Sequence, residues 1–439
     1  MKCIEDEIPF ELPEGWEWCR FTSVTVNRDS ERKPISSANR TNVAKIYDYY
    51  GASGKIDKID NFIFNEKLLL IGEDGANLVT RSKPIAFFAE GQYWVNNHAH
   101  CIDSTDKLIL EYLCLYINAI SLEKYVTGSA QPKMTQDNMN SILIALPPYE
   151  EQKRLEFQVN HILKTVSTIE NEKEDIVNYI ISAKSKILDL AIRGKLVPQD
   201  SNDEPASVLL ERIRAEKEEL IKQGKIKRDK KESIIFKGED NSYYEKVGVE
   251  IRCIDSEIPF EIPDGWMYER LGNICSIARG GSPRPIENYL TDDENGLNWI
   301  KIGDTEQGGK YIYSTKEKIR PEGLSKTRYV CSGDFLLTNS MSFGRPYILR
   351  TNGCIHDGWL VIGGIEIAFH QDYLYYMLSS SIMYNALSSL AVGSTVKNLK
   401  SDSVKSLLVP IPPLAEQACI SRQIENYFAT MLPIERSLS

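Results

Sequence analysis

The most regular hydrophobic pattern in the chain begins at Leu155. Leu155, Val159, Ile162, Val166, Ile169, Ile176, Ile180, Ala183, Ile187 and Leu190 follow one another in steps of four and three, with Lys173 the one polar residue on the track. An ordinary amphipathic helix drifts off a strict 3.5-residue period over this length, whereas a coiled-coil helix keeps to it. The spacing predicts a spacer helix of about 40 residues, about 60 Å long at 1.5 Å per residue. The same track starts again at Ile420 and runs through Ile424, Tyr427 and Met431 to Ile434 and Leu438. Pro433 falls inside it, where a proline is expected to kink or end the helix. Twin helices of this kind are suited to antiparallel pairing. The second reaches Ser439 where the first has reached Glu174, so Leu155–Ile169 is expected to be unpaired within the chain or covered by another subunit.

On either side of the long helix the period changes. Short apolar runs, "KLLLIG" (67–72), "PIAFFA" (84–89), "DFLLTN" (334–339) and "WLVIGG" (359–364), are bounded by Gly, Asn and Asp and read as strands. "KLILEYLCLYINAI" and "QDYLYYMLSS" read as helices at matching late positions. The borders of the two regions repeat. "IPFELPEGW" (8–16) returns as "IPFEIPDGW" (258–266), 250 positions later, and "GSAQPKMTQDNMNSILIALPPYEEQ" (128–152) returns as "GSTVKNLKSDSVKSLLVPIPPLAEQ" (393–417), 265 later. Between the borders the wording diverges. The fold class is α/β (α+β): two similar mixed domains, an internal pseudo-repeat, separated by coiled-coil spacer helices. The boundaries are a first domain over 1–149, a spacer helix over 150–198, a charged connector over 199–250, a second domain over 251–414 and a short spacer helix over 415–439. In the connector, "NDEPASVLLERIRAEKEELIKQG" predicts a helix with Pro205 in its first turn, and "KIKRDKKE" reads as a solvated lysine-rich linker.

Composition changes this picture little. The chain has 439 residues, 42% hydrophobic, with no apolar run near the length of a membrane span and no secretory leader pattern at the start. Nine scattered cysteines without a CxxC pair suggest reduced thiols in the cytoplasm. A net charge of −10 counts against nucleic-acid binding, although basic loops can sit on one face of an acidic protein.

Catalytic chemistry is not legible. "LPPYEEQ" resembles the Asn/Asp-Pro-Pro-Tyr motif of amino-methyltransferases, but Leu146 cannot hydrogen-bond an amine and "IPPLAEQ" lacks the aromatic; a proline-broken strand end leading into a helix is the better reading. "GASGK" (51–55) lacks the residues of a phosphate loop, and no dinucleotide fingerprint is present. His98 and His100 alternate as on one strand face, without further ligands to suggest a metal. The remaining signal lies in polar loops. Arg, Lys, Asn and Gln read base edges, while Ser and backbone amides hold phosphates. In the first domain the candidates for DNA contact are Arg28, Arg32, Lys33, Arg40, Arg81, Asn96, His98, Ser129, Gln131 and Lys133. In the second they are Arg279, Ser282, Arg284, Lys301, Ser340, Ser342, Arg345, His356, Ser394 and Lys397.

Taken together, the doubled "EIPFE(L/I)P(E/D)GW", "LIGEDGA…WVNNHAH", "NWIKIGD…LLTNSMSFGRP…HDGW", the "GS…K…(I/L)PP…EQ" exits and "ILDLAIRGKLVPQ" (187–199) resemble the specificity subunit of type I restriction–modification enzymes over essentially the whole chain. The resemblance implies two target-recognition domains, each reading half of a bipartite double-stranded DNA site, with antiparallel helices that set the spacing and dock two modification subunits. It implies no catalytic residue, metal or cofactor on this chain. S-adenosylmethionine would belong to the modification partners, and ATP and Mg²⁺ to a motor–nuclease restriction subunit. A protein-interaction scaffold with twin α/β domains, a specificity module of a related methyltransferase/endonuclease system, and a self-contained methyltransferase are the competing readings.

Overall fold

In the first of the chain's two units, Met1–Asn171, the apolar runs become the interior of two four-stranded sheets. The computed structural model describes residues 5–128, 130–228, 232–306, 308–340, 343–391 and 398–438. Leu68–Gly72 lies between Ala99–Asp103 and Ala86–Ala89, all antiparallel, with Val26–Asn27 beyond Ala99–Asp103. Leu69 and Ile71 project into a core with Leu110, Leu113 and Ile117 of the helix Lys107–Ala119. Leu68 and Leu70 project the other way, against Phe64 and Tyr93 of the second sheet. Burial on both faces explains why this strand reads as an unbroken apolar run. The second sheet runs Gly54–Ile59, Tyr47–Gly51, Gln92–Val95, Phe64–Asn65, with the central pair parallel.

The second unit, Glu172–Ser439, repeats this plan. Phe335–Thr338 takes the place of Leu68–Gly72, flanked by Trp359–Gly363 and Pro346–Leu349. Leu297–Ile300 and Gly353–Ile355 form the parallel pair of the other sheet. The helix Gln371–Ser379 stands where Lys107–Ala119 stands, followed here by a further helix, Ser381–Leu390. The connector holds the expected helix, Ala206–Lys222, with Pro205 at its N-cap. It also holds a three-stranded antiparallel sheet, Ser233–Lys237, Tyr243–Val247 and Glu250–Cys253, which the charge pattern had hidden.

The repeated borders are clasps. Glu17–Arg20 pairs antiparallel with Leu143–Leu146, and Met267–Arg270 pairs the same way with Leu408–Ile411. In each unit an indole N–H donates to a carboxylate at the start of the exit helix: Trp16 to Glu151 at 3.2 Å, Trp266 to Glu416 at 2.8 Å. Arg20 donates to the Ser141 carbonyl at 2.6 Å and Arg270 to the Ser406 carbonyl at 2.9 Å. Gln152 and Gln417, both buried, each cap the carbonyl of the first proline of the Pro-Pro pair, at 2.9 and 3.1 Å. The two copies of the frame therefore make the same contacts with the same residue types.

The heptad track forms one helix, Tyr149–Ile192, 44 residues and about 66 Å long. A Schellman turn ends it: Lys195 N–H donates to the Leu190 carbonyl, Gly194 N–H to that of Ala191, and Gly194 takes the left-handed conformation at φ 65°. Within the second unit its distal part runs antiparallel to Leu414–Leu438, as Lys184–Glu435 at 2.6 Å and Gln199–Glu416 at 2.6 Å show. Ile420 and Ile424 are fully buried there, and Ile180 is buried. Ile187 and Leu190 are half-buried, the deepest positions having moved to Leu188, Ala191 and Ile192; a straight helix drifts this way off a 3.5-residue period. Tyr427 is exposed, Met431 half-buried, and Phe428 packs edge-on against Tyr376 instead. Pro433 neither ends nor replaces the helix, which continues to Leu438. It sits on an exposed face in the last turns, where the carbonyl it frees is open to water. In the first unit Leu155 and Val159 are half-buried, while Ile162, Val166 and Ile169 are exposed at 57, 46 and 59%; Ile176, across the division, is exposed as well.

Candidate nucleic-acid interface

The same four loops meet at one end of the sheets in both units, and three backbone hydrogen bonds fix their junction. The turn that follows the parallel strand is tied by Asn96 N–H to the Tyr50 carbonyl in the first unit, and by His356 N–H to that of Ile300 in the second, both at 3.1 Å. The residue after the central strand donates into that turn: Glu73 to His98, Asn339 to Gly358, both at 2.9 Å. The end of the Gly-Ser loop then returns to it, Met134 donating to Glu73 at 2.7 Å and Leu399 to Asn339 at 2.8 Å. The fourth loop follows the first strand of the antiparallel sheet, Val26–Asn27 or Ser276–Arg279. Conserved backbone geometry thus presents unlike side chains from equivalent positions.

In the second unit the loops gather Arg279, Ser282, Arg284 and His356 around Asp357. Arg279 donates to the Asp357 carbonyl at 2.9 Å, Ser282 to its carboxylate at 3.0 Å, and Arg284 lies 3.5 Å from it. Asn339 donates to the same carbonyl at 2.8 Å. His356 accepts the Gly358 N–H on Nδ1 at 2.9 Å, which leaves Nε2–H to donate to Asp357 at 3.0 Å. Burial lowers the His356 pKa, Lys301, Arg284 and Arg279 lower it further, and Asp357 opposes them, so the ring is neutral near pH 7. Ser282, Arg284, Lys301 and His356 line one recess of about 640 Å³ floored by Trp299. Lys301 is paired with Glu317 at its side. Gly280 permits this approach, since a Cβ there would stand 2.3 Å from the His356 carbonyl oxygen. Ser340 is half-buried and Arg345 exposed on the loop after Phe335–Thr338, the latter without an ion-pair partner among the described residues.

In the first unit the equivalent region is an interlocked set of charges. Arg32 binds Glu73 at 2.5 Å and the carbonyls of Asn97 and Ala99 at 3.3 and 2.8 Å. Lys133 reaches the same Glu73 at 3.1 Å. Buried His100 is held between Asp29 at 2.6 Å and the Met134 carbonyl at 2.9 Å. Burial works against the Asp29 carboxylate, but the hydrogen bonds from His100 and the Cys101 N–H, with the charge of Arg32, hold its pKa below the usual range. His98 is exposed and meets Asp74 at 2.7 Å, while the Asn96 side chain accepts the His98 N–H at 2.8 Å. His98 and His100 therefore serve different partners. Lys33 and Gln131 are exposed on the same loops.

Three candidates have internal work. Arg81 caps the end of the helix Lys107–Ala119 by donating to the carbonyls of Ile117, Asn118 and Ile120. Arg40 pairs with Asp57 at 3.1 Å over the Tyr49 ring. Arg28 is shared among Glu31, Glu66 and Asp103. Ser129, Ser342, Ser394 and Lys397 lie outside the described residues. The residues missed in the sequence are the acids and amide that hold the bases in place: Asp29, Glu73, Asp74, Asn339 and Asp357. A search for basic side chains passes over them.

The sequence profile described as "Type I restriction modification DNA specificity domain" matches residues 13–187 and 263–438. The type I restriction enzyme EcoEI specificity subunit of Escherichia coli is 27% identical, over 98% of this chain and 80% of that protein. The EcoAI specificity subunit of Escherichia coli is 29% identical, over 63% of this chain and 54% of that protein. Among solved structures, the HsdS subunit from Thermoanaerobacter tengcongensis shares the fold at a TM-score of 0.50 and 16% identity, over 98% of this chain and 93% of that one.

Proposed function

The chain belongs to the type I restriction–modification DNA specificity family, and on that premise we propose that each unit reads one half of a bipartite duplex site through its four convergent loops. The chain is the DNA specificity subunit of such a system and not itself an enzyme. The observation that carries the reading is the junction of those loops: the backbone hydrogen bonds repeat in both units, while the side chains they present differ. A frame held constant with variable tips is what two readers of different sequences require.

In this reading Arg279, Ser282, Arg284, Lys301, Arg345 and His356 contact the second half-site. Lys33, His98, Gln131 and Lys133 contact the first, and buried Asn96 positions His98. Arg28, Arg32, Arg40 and Arg81 serve the domain's own structure. The spacer helices set the distance between half-sites and dock two modification subunits; a restriction subunit completes the assembly. S-adenosylmethionine, ATP and Mg²⁺ are bound by those partners, and the complex acts in the cytoplasm. Among the described residues no helix is long and apolar enough to cross a membrane.

The test is a salt titration of binding to duplexes that contain or lack the site. The reading expects sequence-dependent affinity that falls steeply as salt rises, because phosphate contacts release counterions. Affinity indifferent to both salt and sequence would favour the protein scaffold.

A further inference from the structure

The turn at the centre of the loop junction is Asn96–Asn97–His98 in the first unit and His356–Asp357–Gly358 in the second. Its outer residues make the backbone bonds of the junction. The first donates to the residue at the end of the parallel strand, and the carbonyl of the third accepts from Glu73 or Asn339. The middle residue, Asn97 or Asp357, is left at the tip. In both units an arginine grips the backbone carbonyl of that tip residue. Arg32, from the loop after Val26–Asn27, donates to Asn97 at 3.3 Å, and Arg279, at the end of Ser276–Arg279, donates to Asp357 at 2.9 Å. Asn339 adds a second bond to the Asp357 carbonyl at 2.8 Å. The two arginines stand at different places along their segments, yet both arrive at the same carbonyl. A charge-assisted bond of this kind fixes the peptide, so the tip side chain is aimed before any ligand arrives.

The tip side chains have hydrogen-bonding capacity to spare. Asn97 is exposed, and its amide makes no hydrogen bond among the described residues. On Asp357, Oδ1 accepts from Ser282 and from His356, both at 3.0 Å. Oδ2 has only a long contact among the described residues, to Arg284 at 3.5 Å, and that arginine side chain is itself 81% exposed. A carboxylate oxygen accepts about two hydrogen bonds, so Oδ2 keeps an unused lone pair. Arg279 and Arg284 beside it offset the repulsion that a lone acid would meet near phosphates.

We propose that Asn97 and Asp357 are the specificity-determining residues of this turn, Asn97 selecting adenine in the first half-site and Asp357 selecting cytosine in the second. The inference rests on the reading of each unit as a DNA reader. An asparagine amide offers a donor and an acceptor side by side, which match N7 and the N6 amine of adenine in the major groove. A carboxylate only accepts, so it matches the N4 amine of cytosine and is repelled by O6 and N7 of guanine and by O4 of thymine. Adenine also presents an amine, but its adjacent N7 lone pair would face the second carboxylate oxygen, which favours cytosine. One backbone position thus carries opposite hydrogen-bonding polarity in the two units. The basic side chains around it supply affinity for phosphate, and the tip supplies discrimination between bases.

The test is methylome sequencing of cells that carry the complete system with the parent chain, Asn97→Ala or Asp357→Asn. Asn97→Ala should relax one adenine of the first half other than the methylated base, with discrimination there falling about 5- to 150-fold and the second half unchanged. Asp357→Asn keeps the size of the side chain and an oxygen for Ser282. It should relax one cytosine of the second half or move it to adenine, with the first half unchanged. A motif kept in full by Asn97→Ala would overturn the proposal; because that side chain has no internal bond, this variant decides the matter even if Asp357→Asn fails to fold. Methylation lowered alike at every second-half sequence by Asp357→Asn, with base preference unchanged, would make Asp357 a structural support and overturn its assignment. So would a parent motif with no C·G pair in its second half. A parent motif that is not bipartite would instead overturn the two-reader reading itself, and this inference with it.

Discussion

Arg345 and Arg32 are both arginines on candidate loops, and replacing each with alanine should have opposite consequences. Arg345 is exposed and makes no ion pair among the described residues. Removing its side chain takes nothing from the fold, so Arg345→Ala should change stability by no more than about 0.5 kcal/mol. If it contacts DNA, the loss is about 1–3 kcal/mol, equivalent to about 5- to 150-fold in affinity. That loss should appear only on duplexes carrying an intact second half-site. Arg32 is different: its guanidinium holds Glu73 at 2.5 Å and two carbonyls, with only 15% of the side chain exposed. Arg32→Ala would leave the Glu73 carboxylate largely buried with one cation fewer, at about 2–4 kcal/mol. The assay pairs thermal unfolding of each variant with competition binding on four duplexes, in which each half-site is intact or scrambled. A destabilised Arg345→Ala, or an affinity loss spread equally over both half-sites, would refute the reasoning.

Other outcomes follow from the frame. Trp266 is almost fully buried and Trp16 half-buried, although both make the same clasp. Trp266→Ala should therefore cost about 3–5 kcal/mol and Trp16→Ala about 1–2 kcal/mol, measured by urea unfolding; equal costs would contradict the assignment. Glu245 predicts an acid-sensitive connector. Burial works against its charge, but hydrogen bonds from Arg270, Ser233 and Arg252 outweigh it and hold its pKa at about 2. A carboxylate depressed in the folded state contributes stability that is complete above the ordinary value of 4.5 and is lost as pH falls toward 2. Glu245→Gln should be less stable than the parent by about 2–3 kcal/mol at pH 7, with the gap closing between pH 4.5 and 2; a gap constant with pH would exclude this role.

Much of this architecture is legible in the sequence because the frame is written twice. The doubled "IPFE(L/I)P(E/D)GW" and the paired exits mark the clasps, and the heptad track marks the helix. What the words cannot carry is partner identity. Arg81 looks like the other loop arginines, yet a left-handed turn at its own backbone aims it at the end of a helix about 36 residues away. The sheet over Ser233–Cys253 is hidden because its strands are only four or five residues long and directly follow the lysine-rich run, and its Glu245 is satisfied by Arg270 from a distant strand. The loop residues are legible by type, but the acids that orient them are not, since orientation depends on strands that meet only in the fold. Pro433 shows the converse, a local rule relaxed by position near an exposed helix end.

The central claim is that the two units read independently on a common frame, and methylome sequencing tests it most directly. Cells carrying the complete system would express either the parent chain or one in which residues 271–405, between the clasp strands of the second unit, come from a related specificity subunit. The account predicts a bipartite methylated motif whose second half changes while the first half and the spacing stay the same. A motif changed in both halves, or in neither, would contradict it.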